Sequence, residues 1–342
     1  MTEPSPCCAA SREHPVLDGV LDGVLDGAAE GAADGTGTGA IETVPQGAYS
    51  THRQVRLRGG SFTMGDQHDE GYSADGESPA HQVEVKPFWI DATSVTNAQF
   101  AAFVKNTGYR TEAEEFGTSA VFHSAILADR ADVGGPAAGA PWWLEVRGAD
   151  WRHPEGPRSD ITARQHHPVV HASHRDASAY ARWAGKRLPT ETEWEYAARA
   201  GREGARFPWG DTLLPRGRWL CNIWQGEFPT ANTREDGFLS TAPAKSFYQS
   251  PDGVWQMIGN VWEWTSDWFS PVEYARRASQ APVVDPRGPS AGMAKVMRGG
   301  SFLCHESYCY RYRVAARSSN TPDSSSSNLG FRCANDLAAP RA

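Results

Sequence analysis

Hydrophobic and polar residues alternate in two stretches of the chain, and this pattern predicts strands. The stretch QVRLRGGSFTMG (54–65) alternates and then reaches a pair of glycines, whereas HQVEVKPFWID (81–91) alternates along its length. Alternation places apolar side chains on one face of a strand and polar side chains on the other. We therefore expect one strand that enters a glycine-rich corner, and a second strand over 81–91.

A helical pattern follows from residue 96. Thr96 and Gln99 have the spacing of a capping box, in which each side chain bonds the backbone N–H of the other residue. Apolar residues then recur at helical spacing, and Gly108 suits the end of the helix. The apolar residues are Phe100, Phe103 and Val104.

Two further capping boxes predict two more helices. Ser173 with Asp176 opens a helix that we expect over about 176–184. Thr190 with Glu193 opens another helix, which Gly201 would end. Beyond Gly201 the sequence has no long helical pattern.

The composition is typical of a loop-rich globular domain. Among 342 residues there are 13 tryptophans, 34 glycines and 23 prolines, so large aromatic anchors are combined with frequent turns. Short helices and short strands of this kind predict a single irregular α+β domain over residues 51–337. Residues 1–50 are acidic and rich in glycine and alanine, and we expect them to form a disordered tail, with a second short tail at 338–342.

The charge and the hydropathy argue against two classes of partner. The net charge is -8 and no run of lysine and arginine occurs, which argues against a nucleic-acid partner. No apolar run approaches the roughly 18–20 residues that cross a membrane, so we expect no membrane partner. The N-terminal residues do not resemble a signal peptide, and we expect a cytoplasmic location, where cysteines do not by default form disulfides.

Two cysteines, Cys304 and Cys309, lie in the segment RGGSFLCHESYCYRYR. On a strand this odd separation would place them on opposite faces, and on a helix they would lie about 140° apart. They could cooperate only if the segment bends, which Gly299 and Gly300 would permit. Three interpretations are open: independent buried thiols, a redox-active disulfide, or a pair that binds a soft monovalent ion such as Cu(I).

Four arginines lie close to these cysteines along the chain, with Glu306 the one acidic residue among them. Positive charge near a thiol lowers its pKa. Alternatively, the arginines pair with carboxylates elsewhere in this acidic protein. They are Arg298, Arg311, Arg313 and Arg317.

Histidines and acidic loops offer other candidate metal sites. A cluster of histidines near Asp176 could bind non-haem iron, although structural or solvated histidines are the alternative. These are His166, His167, His171 and His174. The stretches CNIWQGEFP (221–229), NTREDGF (232–238) and QMIGNVWEW (256–264) are rich in the oxygen ligands of calcium, although solvated turns are the alternative.

Four segments together resemble one enzyme family, the formylglycine-generating enzymes or sulfatase-modifying factors. The first three mark a wider superfamily that includes non-enzymes, and the fourth is more specific to the enzymes. The resemblance extends from about Val55 to Asp336. The segments are GKRLPTETEWEYAARAG (185–201), CNIWQGEFP (221–229), GNVWEWTSDWF (259–269) and RGGSFLCHESYCYRYRVAARSSNTPDSSSSNLGFRCA (298–334).

The resemblance implies a fold, an activity and a site. It implies a single irregular domain related to the C-type lectin fold, and an oxidoreductase that converts the cysteine of a sulfatase C-x-P-x-R motif to formylglycine. Dioxygen is the co-substrate of the family and a thiol is its reductant. Cys304 and Cys309 match the catalytic pair that holds Cu(I). Residues that match the oxygen pocket or lie near the pair are Ser301, Tyr308, Trp262, His305 and Asn328.

The resemblance also implies two structural Ca²⁺ sites. The first matches Asn222, Ile223, Asp236 and Phe238. The second matches Gln256, Gly259, Val261 and Glu263, with Gln256 in place of an asparagine of some relatives.

The chain departs from the animal members of the family at two disulfides. Ala198 and Val314 stand where two of the family's cysteines would be, so that Cys333 lacks its expected partner and Cys221 is an alternative one. Two other functions stay open: a non-catalytic lectin-like binding module, and an iron oxidase similar to the sulfoxide synthases that would use the histidine cluster.

Overall fold

The computed structural model describes residues 53–137, 139–280 and 282–337. The tails predicted at 1–50 and 338–342 lie outside the described residues. None of the described helices has the length and apolar character needed to span a membrane.

The helices and strands are short and distributed along the whole described chain. The helices are α1 (Asn97–Thr107), α2 (Glu112–Phe116), α3 (His174–Trp183), α4 (Glu191–Arg199) and α5 (Glu273–Ala278). The first strands are β1 (Gln54–Leu57), β2 (Gly60–Met64), β3 (His81–Val85), β4 (Phe88–Asp91), β5 (Thr118–Phe122), β6 (Val133–Ala137) and β7 (Ala140–Arg147). The remaining strands are β8 (Gly226–Glu227), β9 (Ala231–Asn232), β10 (Trp262–Trp268), β11 (Val283–Val284), β12 (Lys295–Arg298), β13 (Arg317–Asn320), β14 (Leu329–Phe331) and β15 (Ala334–Asp336).

The strands form several small sheets. The central sheet has the order β13-β12-β10-β14, in which β10 is antiparallel to β12 and parallel to β14. The other sheets have the orders β1-β4-β15, β11-β3-β2 and β5-β7-β6, with β8 and β9 forming a short hairpin. Helices α1, α3 and α4 contribute to the same main apolar core as the central sheet and the sheets β1-β4-β15 and β11-β3-β2, whereas β5 and β7 bury their side chains in two smaller clusters. The predicted single irregular α+β domain is confirmed.

The capping boxes place three helices as predicted, with small shifts at their ends. The Thr96–Gln99 box opens α1, and Gly108 ends it in the left-handed conformation. Helix α3 begins at His174, two residues before the predicted start, because Ser173 is its N-cap. Helix α4 ends at Arg199, and its C-cap is Ala200 rather than Gly201, since the Ala200 N–H donates to the Tyr196 carbonyl.

Two features differ from the sequence prediction. Helix α2 was not predicted, although Thr111 and Glu114 form a capping box and Gly117 follows its end. The segment 81–91 is two strands in different sheets, and it breaks at Lys86-Pro87. Pro87 has no N–H to continue the ladder, so the chain leaves the sheet of β3 and enters that of β4.

Buried ion pairs connect α4 to the central sheet. Arg298 donates to Glu191 at 2.9 Å and to Glu195 at 2.6 Å, while Arg317 donates to Glu191 at 2.7 Å. All four side chains are at most 1% exposed. Burial alone raises the pKa of Glu191, but Arg317 and Arg298 more than offset this and lower the pKa to about 2. The network therefore fixes the end of β12 against α4.

We expect Glu191→Gln to lower the free energy of unfolding by about 3–5 kcal/mol, because it leaves buried guanidinium groups without their full compensation. Urea denaturation would measure this. Asp129→Asn is the control: Asp129 pairs with Arg158 at the surface, where both side chains are more than 60% exposed, and the expected loss is about 0–1 kcal/mol. Equal losses in the two variants would contradict the prediction.

The same substitution has a defined pH dependence. The pKa of Glu191 is about 2 in the folded protein, whereas the ordinary pKa of a glutamate is 4.5. A group whose pKa falls on folding stabilises the fold above its unfolded pKa, and this stabilisation is lost as the pH falls toward the folded pKa. The stability difference between the wild type and Glu191→Gln should therefore shrink between about pH 4.5 and pH 2.

Candidate active site

The segment that carries Cys304 and Cys309 turns sharply at two glycines after β12. Gly299 and Gly300 have φ values of 97° and 71°. A Cβ on Gly299 would lie 2.9 Å from the Met257 carbonyl oxygen, and one on Gly300 would lie 2.9 Å from the Arg311 carbonyl oxygen. Both the backbone conformation and the close approach require glycine. The chain consequently folds back onto itself, with Gly300 against Arg311.

Two consecutive turns then bring the two cysteines together. The Cys304 N–H donates to the Ser301 carbonyl at 2.9 Å, and the Cys309 N–H donates to the His305 carbonyl at 2.6 Å. As a result the two sulfur atoms lie 3.2 Å apart, and both side chains are buried. The bend that cooperation demands is present, so the interpretation as two independent thiols is wrong. The two cysteines are not joined by a disulfide in this structure.

Ser301 contacts Cys304, and hydrogen bonds link Asn328 to Ser301 and Trp262 to Asn328. The Ser301 N–H donates to Cys304 Sγ at 3.3 Å, and Ser301 Oγ accepts from Asn328 Nδ2 at 2.9 Å and from the Leu303 N–H at 3.3 Å. The backbone N–H of Trp262 donates to the Asn328 carbonyl at 2.8 Å. The buried Trp262 indole N–H has no acceptor among the described residues. The group therefore offers donors to a bound molecule.

An aromatic wall begins at Tyr308, next to Cys309. The Tyr308 ring stacks on Phe228 with centroids 4.2 Å apart, and Trp142 lies edge-on to Tyr308 at 4.7 Å. Trp224 packs edge-on against Phe228 at 5.3 Å. The sequence analysis predicted Tyr308 and missed the others. Phe228 and Trp224 lie inside the recognised segment 221–229, which was the available signal, whereas Trp142 on β7 gave none.

His305 contributes through its backbone. Its carbonyl also accepts from the Tyr308 N–H at 3.0 Å, so it holds the turn that carries Cys309. Its ring is partly exposed, with Nδ1 2.8 Å from Ser307 Oγ.

The arginines near the cysteines pair mainly with distant carboxylates. Arg298 and Arg317 bond the glutamates of α4, and Arg313 bonds Glu77 at 2.9 Å. Arg311 bonds Asp75 at 2.5 Å and also places Nη1 3.9 Å from Cys309 Sγ. All four arginines therefore pair with carboxylates, and Arg311 in addition lies within reach of a thiol.

The profile of the sulfatase-modifying factor enzyme 1-like domain matches residues 39–337 of the chain. The chain belongs to this family. The predicted family is confirmed by a match that covers almost the whole described domain.

Relatives and a solved structure agree with this assignment. A formylglycine-generating enzyme of Streptomyces coelicolor is 68% identical over 287 residues, which cover 84% of this chain and 90% of that protein. A second one, from Thermomonospora curvata, is 55% identical over 282 residues, covering 82% and 93%. The structure of PvdO from Pseudomonas aeruginosa matches with a TM-score of 0.60 at 25% identity, covering 83% of this chain and 94% of that one. The fold is the irregular, C-type lectin-like one that the sulfatase-modifying factor family implied.

The histidine cluster does not form an iron site in this sulfatase-modifying factor domain. His171 Nδ1 lies 2.7 Å from Ser119 Oγ and Nε2 lies 2.8 Å from the Pro154 carbonyl, so both ring nitrogens are engaged. His167 bonds Thr241 and His174 bonds the Thr265 carbonyl. Burial lowers the pKa of His167 to about 4 and that of His174 to about 3.

The remaining members of the cluster also have other roles. His166 is exposed, and Asp176 caps α3. Within the described ranges, no group of three or more histidines, cysteines, aspartates or glutamates is placed to bind a metal ion. The histidines are structural or solvated.

The first predicted calcium set leaves acidic and amide oxygens unpaired. Asn222 Oδ1 and Asp236 Oδ2 are buried, with no hydrogen-bond partner among the described residues. Burial raises the pKa of Asp236, while a backbone hydrogen bond from Phe238 opposes this rise. Ile223 lies next to Asn222 in the chain, and its N–H also bonds the Asp236 carboxylate. Orphaned, buried oxygens of this kind fit a hard cation.

In the second predicted calcium set, the side chains of Gln256 and Glu263 already have hydrogen-bond partners within the protein. Glu263 accepts from Arg332 at 2.6 Å and from the Trp194 indole N–H at 2.8 Å. Gln256 Oε1 accepts from Asn260 Nδ2 at 2.6 Å. The positive charge that Glu263 requires is supplied by an arginine. Gly259 and Val261 lie in the bend between these two side chains, before β10 begins at Trp262.

Cys221 and Cys333 do not form the alternative disulfide. Both are buried, free thiols. Burial raises the pKa of each, and the neighbouring Asp91 raises that of Cys333 further.

We expect mild oxidation with diamide to cross-link Cys304 to Cys309, because the two sulfurs already lie near bonding distance. Cys221 and Cys333 should stay reduced, since thiolate is the reactive form and burial disfavours it. Peptide mapping by mass spectrometry under non-reducing conditions would identify the bond. Cys309→Ser should lack it, and a Cys221–Cys333 bond in the wild type would contradict the prediction.

Proposed function

We propose that this chain is a formylglycine-generating enzyme that oxidises the cysteine of a C-x-P-x-R motif in a sulfatase polypeptide. The observation that carries the proposal is the convergence of the Cys304 and Cys309 sulfurs, 3.2 Å apart in a buried turn. The Streptomyces coelicolor relative, at 68% identity, bears this enzyme's name and supports the same reaction here. A lectin-like module that only binds has no use for such a pair.

The proposed reaction has two balanced halves. First, the substrate R–CH₂–SH, one O₂, two electrons and two protons give the thioaldehyde R–CHS and two waters. One C–H and the S–H bond of the substrate break in this half, and a thiol reductant supplies the electrons. Second, water adds to the thioaldehyde carbon and hydrogen sulfide leaves, which gives the aldehyde of formylglycine.

Copper(I) fits the donors of the candidate site. Thiolates are soft ligands that select Cu(I), and Cys304 and Cys309 would hold the ion. When bound, Cu(I) supplies the one-electron chemistry that dioxygen requires. Two protein thiolates would leave room for the substrate cysteine, and among the described residues no group of three or more histidine, cysteine, aspartate or glutamate side chains is placed to hold a metal ion.

The chain's own groups prepare the pocket for substrate and dioxygen. Ser301 Oγ accepts two hydrogen bonds, which occupy its two lone pairs, so its own hydrogen is left for a bound molecule. The unpaired indole N–H groups of Trp262, Trp142 and Trp224 are further buried donors. The ring of Tyr308, stacked on Phe228, closes the side next to Cys309 and excludes water.

We propose a cytoplasmic location for the enzyme. The free state of the four described cysteines supports it, because a reducing compartment keeps thiols unpaired.

Incubation of the enzyme with Cu(I), a thiol reductant, air and a C-x-P-x-R peptide should give the aldehyde product, measured by mass spectrometry. Cys309→Ser should abolish both turnover and Cu(I) binding, because it removes one of the two thiolates, while the far-UV circular dichroism stays unchanged. Cys221→Ser is the control: it also removes a buried thiol, but it should retain both properties. Copper-loaded wild type that leaves the peptide unmodified would refute the enzymatic function.

We also propose a structural Ca²⁺ ion at the first predicted set, with Asn222 and Asp236 as side-chain ligands and Ile223 and Phe238 as backbone ligands. The support is the pair of buried, unpartnered oxygens on Asn222 and Asp236. A cation there would satisfy both oxygens and would neutralise a carboxylate whose burial is otherwise unfavourable.

Removal of Ca²⁺ with a chelator should lower the melting temperature, because an ion that binds only the folded state stabilises it by about 2.7 kcal/mol at a hundredfold excess over Kd. For a domain of this size each kcal/mol corresponds to about 2–4 °C. Differential scanning calorimetry would measure the shift, and Asp236→Asn should no longer respond to the chelator. Glu263→Gln should still respond, and loss of the response in that variant alone would place the ion at the second set.

A further inference from the structure

Two arginine–carboxylate pairs lie side by side behind the thiols. Arg311 donates to Asp75 through Nε at 2.5 Å and through Nη2 at 3.1 Å. Arg313 donates to Glu77 through Nη1 at 2.9 Å and through Nη2 at 3.1 Å. The arginines are two residues apart and so are the acids, and all four side chains are at most 10% exposed. The pairs thus match in chemistry, geometry and burial.

Only one pair reaches a cysteine. Asp75 engages Nε and Nη2 of Arg311, which leaves the third nitrogen, Nη1, directed toward Cys309 Sγ at 3.9 Å. The guanidinium is planar and rigid, so a carboxylate that accepts two hydrogen bonds from one edge determines where the opposite nitrogen lies. In the neighbouring pair, the remaining nitrogen of Arg313 donates to the Tyr310 carbonyl at 2.9 Å and not to a thiol.

Tyr72, which is close to Asp75 in the sequence, also contacts the Arg311 guanidinium. The guanidinium carbon lies 4.1 Å from the centroid of the Tyr72 ring. The Tyr72 hydroxyl accepts from the Tyr310 N–H at 3.0 Å, immediately after Cys309 in the chain. Tyr72, the N-cap of the short helical turn Ser73–Asp75, and Asp75, its last residue, therefore contact the Arg311 side chain and the backbone next to Cys309.

We propose that Asp75 is a positioning residue that acts through Arg311 to direct the Cys309 sulfur toward Cys304. Asp75 lies 236 residues before Arg311 in the sequence and bonds its guanidinium. Its carboxylate fixes the guanidinium, and the guanidinium fixes the rotamer of Cys309 by donating to its sulfur. The consequence for Cu(I) rests on the proposed function, whereas the consequence for the spacing of the two thiols does not.

Two measurements without turnover test this proposal. The first is capture of the thiol pair by phenylarsine oxide, a trivalent arsenical that bridges two neighbouring thiols and needs no copper. The second is Cu(I) affinity, measured by competition with a coloured chelator. Asp75→Asn keeps the shape of the side chain and removes its charge. We expect Asp75→Asn to weaken both arsenical capture and Cu(I) affinity by about 10–100-fold, the range found when groups that orient metal ligands are altered.

The neighbouring pair supplies the control. Glu77→Gln also removes the charge of a buried carboxylate from a paired arginine, so it should cost similar stability, but it should leave both measurements within about threefold of the wild type. Asp75→Glu restores a carboxylate and should recover most of the loss. Melting temperatures of the variants verify that the comparison is made between folded proteins.

The outcomes separate the two proposals. Equal losses in Asp75→Asn and Glu77→Gln would mean that any buried ion pair in this region acts through the fold, and would overturn the positioning role. Unchanged arsenical capture in Asp75→Asn would overturn it as well. Arsenical capture that depends on Asp75 in an enzyme that makes no aldehyde would support the positioning role while refuting the proposed reaction.

Discussion

The buried bond between Arg298 and the glutamates of α4 is the constraint on which the site depends. Arg298 is the last residue of β12, and the glycine turn that leads to the thiols begins at the next residue. Its two nitrogens hold Glu191 and Glu195, which lie one helical turn apart on α4. Because a buried charge is tolerated only when opposite charges pair with it, these bonds fix the position of the strand end relative to the helix.

A rigid base of this kind allows the site itself to be irregular. The turns from Ser301 to Cys309 have no regular ladder, and they hold their shape through close backbone contacts at Gly299 and Gly300. The backbone N–H of Trp224 also stabilises these turns, since it donates to the Cys304 carbonyl at 3.0 Å. Several indole donors nearby are left unpaired. Polar groups without partners are costly in a core, and in proteins they concentrate where a ligand supplies the missing partner.

The sequence predicted those parts that depend on neighbours in the chain. Capping boxes placed α1, α3 and α4 because their bonds join residues three apart, and the spacing of Cys304 and Cys309 implied a bend. Helix α2 was within reach of the same reasoning through Thr111 and Glu114. The family resemblance supplied Ser301 and Asn328, which no local pattern indicated.

The rest depended on partners that are distant in sequence. Nothing near Arg311 indicates that Asp75 is its partner, and nothing near Glu263 indicates that Arg332, 69 residues later, takes its charge. The break in 81–91 was signalled by Pro87, but the choice of two different sheets was not. Trp142 reaches Tyr308 from another sheet. Such contacts are decided by the packing of the whole domain and leave no periodic trace along the chain.

Two groups that bond the neighbours of the thiols come from opposite ends of the described chain. Asp75 belongs to its first part, and Asn328 belongs to its last, where β14 pairs in parallel with β10. During synthesis the segment with Cys304 and Cys309 is made after the first group and before the second. Since contacts of long sequence separation form late in folding, the pair acquires its full surroundings only when translation is nearly complete. A nascent or truncated chain would therefore carry the cysteines without the environment that makes them a reactive pair.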